Sequence, residues 1–244
     1  PSKEQIVATL GSAAVDLRRR LGESMPSLQR FNKPLQQATT ASLDALKQFS
    51  LGEELMWKGD IRGASACFER ATELDPNFAL AHFRLSQSLY NSGLPQWRSA
   101  HNRAMELRDK VSERESLELS SRYSFVNGDI DKAIEVTRQW IGTYERDPNA
   151  HFFLGYALYT IGQLDQANDA NRQAIQHGAG SRAYANIAVS LLRLGKYEEA
   201  EATLRKIREL GLEGVQAHLI AWRLAAIRGD QAGMQRHIDW LKQE

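Results

Sequence analysis

The sequence predicts an all-α, right-handed solenoid of six helix-turn-helix units, preceded by one helix and an extended connector. Three observations carry this. A Gly-x-x-x-x-Ala element recurs as Gly59…Ala64, Gly128…Ala133, Gly162…Ala167 and Gly195…Ala200, with weaker echoes beginning at Gly93 and Gly229. These six glycines are spaced by 34, 35, 34, 33 and 34 residues, a period at which each unit buries its apolar face only by stacking on its neighbours. Between the glycines, apolar residues recur at helical spacing.

Residues 2–22 read as an amphipathic helix, capped by Ser2 and carrying Ile6, Leu10, Ala13, Ala14, Leu17 and Leu21 on one face. Arg18, Arg19 and Arg20 complement the dipole at its end. Residues 23–40 hold Pro26 and Pro34 among Ser, Asn and Thr, so an extended connector follows, anchored by Phe31 and Leu35. From Ser42 the rhythm is helix, turn, helix. In the first unit Leu46, Phe49, Leu51 and Leu55 line the inner helix, Gly59 breaks it and Asp60 caps the outer helix. Ala64, Phe68 and Ala71 line that outer helix until Asp75-Pro76 stops it. In the second unit the place of the small outer-helix residue falls at or next to Trp97, preceded by Pro95, so either the packing differs or the turn shifts. In the sixth, Met234 takes the alanine position and Trp222 the glycine position.

This pattern resembles the tetratricopeptide repeat (TPR). Leu51-Gly52, Leu55, Gly59, Ala64, Phe68, Ala71 and Pro76 match its signature in the first unit, and Pro148, Leu154-Gly155, Leu158, Gly162, Ala167 and Ala174 match it in the fourth. The resemblance covers Ala45 to Glu244, with repeats at about 45–78, 79–113, 114–147, 148–180, 181–214 and 215–244. A narrower resemblance exists. The runs from Ser2 to Ser24, Gln37 to Thr40, Leu43 to Lys47 and Leu107 to Glu115 are similar to the junction and repeats of bacterial signalling proteins, in which a Ser/Thr kinase or winged-helix module precedes a small α/β domain and a TPR array. It implies that 1–41 is the end of such an α/β domain, that 42–244 is the repeat domain, and that a kinase or DNA-binding module belongs to a longer parent.

Composition narrows the function. Lys+Arg 31 against Asp+Glu 30 gives a formal charge of +1, without the broad basic field that nucleic-acid binding needs. No apolar run reaches the roughly 20 residues of a membrane span, and Pro1-Ser2-Lys3-Glu4, lacking Met or a signal-like core, reads as part of something longer. Cys67 alone forms no intrachain disulfide and reads as a small buried residue. The compartment stays open between cytoplasm and the extracytoplasmic part of a membrane-anchored parent.

Catalytic motifs are missing from the sequence: no phosphate-cradling glycine loop, nucleophile elbow or paired His–Glu metal motif occurs. His82, His151 and His218 share one packing position in alternate units, and His101, His177 and His237 show no metal-ligand spacing with each other or with Cys67. The expectation is a non-enzyme without cofactor or metal.

In the TPR family the groove is lined mainly by the inner helices. The positions this resemblance assigns are Phe49, Glu53, Phe83, Gln87, Arg122, Phe152, Tyr156, Tyr159, Arg182, Arg193 and Arg223. Aromatic side chains bury large area at low entropic cost and arginine grips carboxylates in bidentate fashion, so the set suits a protein or peptide ligand with acidic residues. Packing between repeats is the competing role for Phe49, Phe83 and Phe152. The chaperone-tail clamp of some TPR domains needs Lys and Asn where Phe49, Glu53, Phe83 and Gln87 stand, so it is not expected. An alternative role is self-association: Met234, Ile238, Trp240 and Leu241 on the last helix are candidate homodimer contacts.

Overall fold

The structure, a computed structural model, describes residues 40–242 together with helical positions between 9 and 16. Most of the expected opening helix and all of the connector up to residue 39 lie outside the described residues. Among these, twelve α-helices and one 3-10 helix follow one another without a strand.

The chain divides into two compact units, Pro1–Tyr123 and Ser124–Glu244. The first contains α1 (Leu43–Trp57), α2 (Ile61–Leu74), α3 (Ala79–Asn91), α4 (Trp97–Glu106), the 3-10 turn Arg108–Lys110 and most of α5 (Glu113–Val126). In the second are α6 (Ile130–Thr143), α7 (Pro148–Thr160), α8 (Leu164–Gln176), α9 (Ser181–Arg193), α10 (Tyr197–Glu209), α11 (Val215–Ile227) and α12 (Gln231–Leu241). In the first unit α1 packs on α2, α2 on α3 and α3 on α4. In the second, α7 pairs with α8, α9 with α10 and α11 with α12, and the inner helices α7, α9 and α11 touch in sequence to form one layer.

The period has a backbone cause. All six repeat glycines sit at φ between +69° and +85°, the left-handed region that only glycine enters without a side-chain clash. At Gly59 the glycine amide donates to the Met56 carbonyl and the next amide, of Asp60, reaches back to Leu55 at 3.0 Å. The same two bonds recur at Gly93, Gly128, Gly162, Gly195 and Gly229. They close the inner helix by satisfying its last carbonyls and reverse the chain. Side chains then start the next helix: Asp60 accepts from Gly63 N at 2.8 Å, Asp129 from Lys132 N at 3.1 Å and Asp230 from Gly233 N at 2.8 Å.

Close helix contact fixes the small residues. Ala64, Ala133, Ala167 and Ala200 are completely buried. In the second unit of the repeat it is the turn that shifts: α4 begins only at Trp97, and Ala100 occupies the small position. Seven residues before each turn glycine stand Gly52, Ser86, Ser121, Gly155, Ala188 and Trp222. A Cβ on Gly52 would lie 2.6 Å from the Phe68 ring, and one on Gly155 would meet the Asn171 amide and the Ala167 carbonyl oxygen. Trp222 breaks the rule in the last repeat, where it and Met234 are both half-buried.

Candidate functional site

The inner helices carry nearly all of the candidate contact residues, but the structure distributes them over three different environments. Phe83 lies in the core at 1% exposure, packed with Ala104 and Leu119. This corrects its assignment to the groove. Phe49 is half-buried against Phe68 and Phe78, with ring centroids 5.7 and 5.0 Å away, and belongs to the packing of α1, α2 and the start of α3.

Glu53, Gln87 and Arg122 meet in a polar network on the first unit. At its centre is Glu118, 5% exposed, which the sequence reading missed. Arg122 Nε lies 3.2 Å from its carboxylate, Arg114 Nη1 at 3.4 Å and Arg84 Nη1 at 3.7 Å. Arg84 also approaches Glu53 with Nε at 3.0 Å and donates to Gln87 Oε1 at 2.9 Å. Burial pushes the Glu118 carboxyl up, but Arg122, Arg84 and Arg114, with a hydrogen bond from Arg122, outweigh burial and hold it below the usual range. A signal existed in the sequence. Glu118 stands ten residues before its turn glycine, the place of Phe49, Phe83 and Phe152, and a carboxylate at an aromatic position requires paired cations.

The second unit presents a different inner face. Phe152, Tyr156 and Tyr159 follow i, i+4, i+7 spacing along one stripe of α7, and Arg182, Asn186, Val189 and Arg193 follow the same kind of spacing on α9. The stripes meet at both ends. The Arg182 guanidinium lies 5.1 Å from the Phe152 ring centre and that of Arg193 lies 4.7 Å from Tyr159, within cation–π range. Between these ends Tyr156 is 39% exposed. Its ring leans on Phe125, 5.0 Å away. The Asn186 side-chain amide nitrogen is buried without a hydrogen-bond partner. Arg223 on α11 is exposed beside Leu219 and Ile227.

Charge separates sharply in this unit. The helices α7, α9 and α11 contain no Asp or Glu, whereas α6, α8, α10 and α12 all do. Among the described residues no carboxylate lies within ion-pair distance of Arg182, Arg193 or Arg223. The face is therefore apolar with uncompensated guanidiniums, unlike the neutralised network around Glu118.

The histidines are held by packing contacts. His82 and His151 approach the carbonyls of Pro76 and Glu145 at 3.1 and 2.7 Å, and His218 stacks on Trp240 at 3.7 Å with its Nδ1 3.1 Å from that of His237. Among the described residues no three His, Cys, Asp or Glu are grouped to hold a metal, and no helix is long and apolar enough to cross a membrane. Cys67 is half-buried. Met234, Ile238, Trp240 and Leu241 are half-buried on α12. Two open clefts, about 470 and 460 Å³, lie elsewhere in the unit, one lined by Arg172, Tyr184 and Lys206 and the other by Arg138, His151 and Arg172.

Comparison with known proteins agrees with this architecture. One tetratricopeptide-repeat family model matches residues 49–96 and 121–184, and a second matches 181–210, together more than half of the chain. PilW, a widely conserved type IV pilus biogenesis factor, superposes with a TM-score of 0.58 at 17% identity, covering 83% of this chain and 94% of PilW. A chain of the APC/C hetero-tetramer Cut9–Hcn1 gives 0.60 at 18%, covering 80% of this chain and 39% of that one. TTC0263, a TPR protein of Thermus thermophilus, gives 0.55 at 20%, covering 75% and 97%. These likenesses share an α-solenoid of helix-turn-helix repeats. Protein POLLENLESS 3-LIKE 2 of Arabidopsis thaliana is 32% identical over 75 residues, 30% of this chain, and the chain spans 17% of its length.

Proposed function

Because the chain belongs to the tetratricopeptide-repeat family, we propose that it is a non-catalytic interaction module that takes an acidic peptide or protein segment on the inner-helix face of its second unit. Proteins of this family generally mediate protein–protein interaction. The observation that carries the finer reading is the absence of Asp and Glu from α7, α9 and α11, on which Arg182, Arg193 and Arg223 have no carboxylate within ion-pair distance among the described residues. Uncompensated guanidiniums on an apolar, partly dry surface favour an anionic partner and steer its approach.

Phe152, Tyr156 and Tyr159 supply the buried area in this reading, and the arginines supply selectivity. Glu53, Gln87 and Arg122 stabilise the first unit. The test is selection from a random peptide library on the immobilised chain at low salt, repeated with Arg182→Glu/Arg193→Glu/Arg223→Glu. Enrichment of acidic sequences by the wild type and its loss in the variant is expected; identical selections from both overturn the reading.

We further infer, from the short runs at 2–24, 37–47 and 107–115 alone, that these repeats belong to a bacterial signalling parent of the kinase or winged-helix type. A complete reading frame without either module upstream would overturn that assignment.

A further inference from the structure

We infer that α12 is held on α11 by a histidine clasp, shut while His218 and His237 carry at most one extra proton between them and opened when both rings are charged. His218 Nδ1 on α11 and His237 Nδ1 on α12 lie 3.1 Å apart. A bond between two ring nitrogens needs one N–H donor and one lone pair, and an imidazolium, which donates from both nitrogens, has no lone pair to offer. Two imidazoliums therefore cannot form it.

The repeat supplies a contrast. His82, His151 and His218 share one inner-helix position, yet His82 and His151 set Nε2 against the carbonyls of Pro76 and Glu145, six residues back. A carbonyl accepts from an N–H in either charge state, so those rings can gain a proton and keep the contact. His218 meets a second titratable ring instead.

The surroundings decide which ring is charged first. His218 lies face to face with the Trp240 indole, ring centres 3.7 Å apart, and its Nε2 stands 4.0 Å from a Glu213 carboxylate oxygen. An aromatic face and a carboxylate both favour an imidazolium there. The charges that reach His237 are His218 on α11, Arg236 on α12 itself, Arg208 on α10 and Glu213 in the α10–α11 loop, the last two paired with each other at 3.1 Å. Burial, then the His218 charge, Arg236 and Arg208, outweigh Glu213 and hold the His237 pKa below its ordinary 6.5. A proton on His218 makes the bond charge-assisted and stronger, and a second on His237 breaks it. Because the folded value is depressed, the clasp is fully shut above pH 6.5 and opens as pH falls through the lower value.

Little else holds this helix. Gly233 is the one buried residue of α12, and Met234, Ile238, Trp240 and Leu241 are half-buried. The docked helix lies close on Ala225 of α11, whose Cβ would be 3.2 Å from a Cβ placed at Gly233. Opening at acid pH uncovers that face of α11.

The experiment is amide hydrogen exchange of the full chain, read by mass spectrometry at about pH 7.5 and 5 and corrected for the intrinsic pH dependence of exchange. Protection of α12 is expected to fall about tenfold on acidification, within the roughly thirtyfold limit at pH 5 for one site whose open-state pKa is 6.5. His237→Gln keeps a hydrogen-bonding group that does not titrate, so it should make α12 protection the same at both pH values while α8 responds as in the wild type. That outcome supports the clasp whether α12 in the variant is held or loose. NMR titration of the two Cε1–H signals in the wild type is the second readout, with two separated steps expected and α12 opening following the lower one. Protection of α12 unchanged by acid, a pH response that survives His237→Gln, or a single common titration step for both rings overturns the clasp.

Discussion

Arg122 Nε lies 3.2 Å from the carboxylate of Glu118, one helical turn before it on α5, and that carboxylate is 5% exposed. The ion pair sits at a repeat position where other units place phenylalanine, so its stability depends on every partner being present. Removing one side of a buried pair leaves an uncompensated charge, at a cost of about 3–5 kcal/mol. Glu118→Ala is therefore expected to lower unfolding stability by about 3 kcal/mol, measured by urea denaturation. Arg122→Glu should destabilise as well, which makes it unsuitable as a probe of partner binding.

Gly155 faces the Asn171 amide and the Ala167 carbonyl oxygen, the latter 3.0 Å from where a Cβ would sit. Asn171 itself donates to that carbonyl at 2.8 Å. Gly155→Ala should cost about 1–3 kcal/mol by forcing α7 away from α8. Adding Asn171→Ala removes one of the two obstacles, so the double variant should lose less than the sum of the singles in thermal unfolding.

Trp140 is completely buried, and its indole nitrogen donates to Asp147 Oδ2 at 2.9 Å. The other oxygen of Asp147 caps α7 by accepting from Asn149 N at 3.0 Å. Asp60 provides a cap alone, to Gly63 N. An N-cap is worth about 1 kcal/mol, and an orphaned buried donor adds about 1–3 kcal/mol. Asp147→Ala should destabilise clearly more than Asp60→Ala in the same denaturation assay.

His101 is buried against Phe83 and Tyr123, with Nδ1 3.0 Å from Ser86 Oγ. Burial, reinforced by the Arg122 charge, lowers its pKa from 6.5 to about 4. The unfolded chain then binds a proton more readily than the folded one below pH 6.5, so this contribution is fully present above that value and is lost as pH falls towards 4. The loss is about 3 kcal/mol when complete. Stability measured between about pH 7.5 and 5 should fall, and His101→Leu should flatten that part of the profile.

Much of the fold was legible because it rests on local chemistry. A left-handed glycine recurs at a fixed offset because no other residue type enters that backbone region without strain, and the aspartate caps and small residues around it follow from unpaired helix amides and close helix contact. In the second repeat the sequence left altered packing and a shifted turn as alternatives, and the turn is what changes: Leu94-Pro95-Gln96 lengthens it and moves the small position by two residues to Ala100. The candidate site was legible only in part. Position within a helix tells which stripe a residue joins, but not whether a neighbouring helix covers it: Phe83 and Phe152 share a repeat position, yet one is core and the other receives Arg182. Glu118 was overlooked because the partners that neutralise it come from two helices.

The most direct measurement is photo-crosslinking of a diazirine-bearing acidic peptide to the full chain, with the modified residues located by mass spectrometry. Crosslinks concentrated on Phe152–Tyr159 and Arg182–Arg193, and suppressed by salt, are the predicted result. Crosslinks concentrated instead on the clefts around Arg138, Arg172 and Lys206 would contradict the account, because the partner would then be held away from the acid-free face.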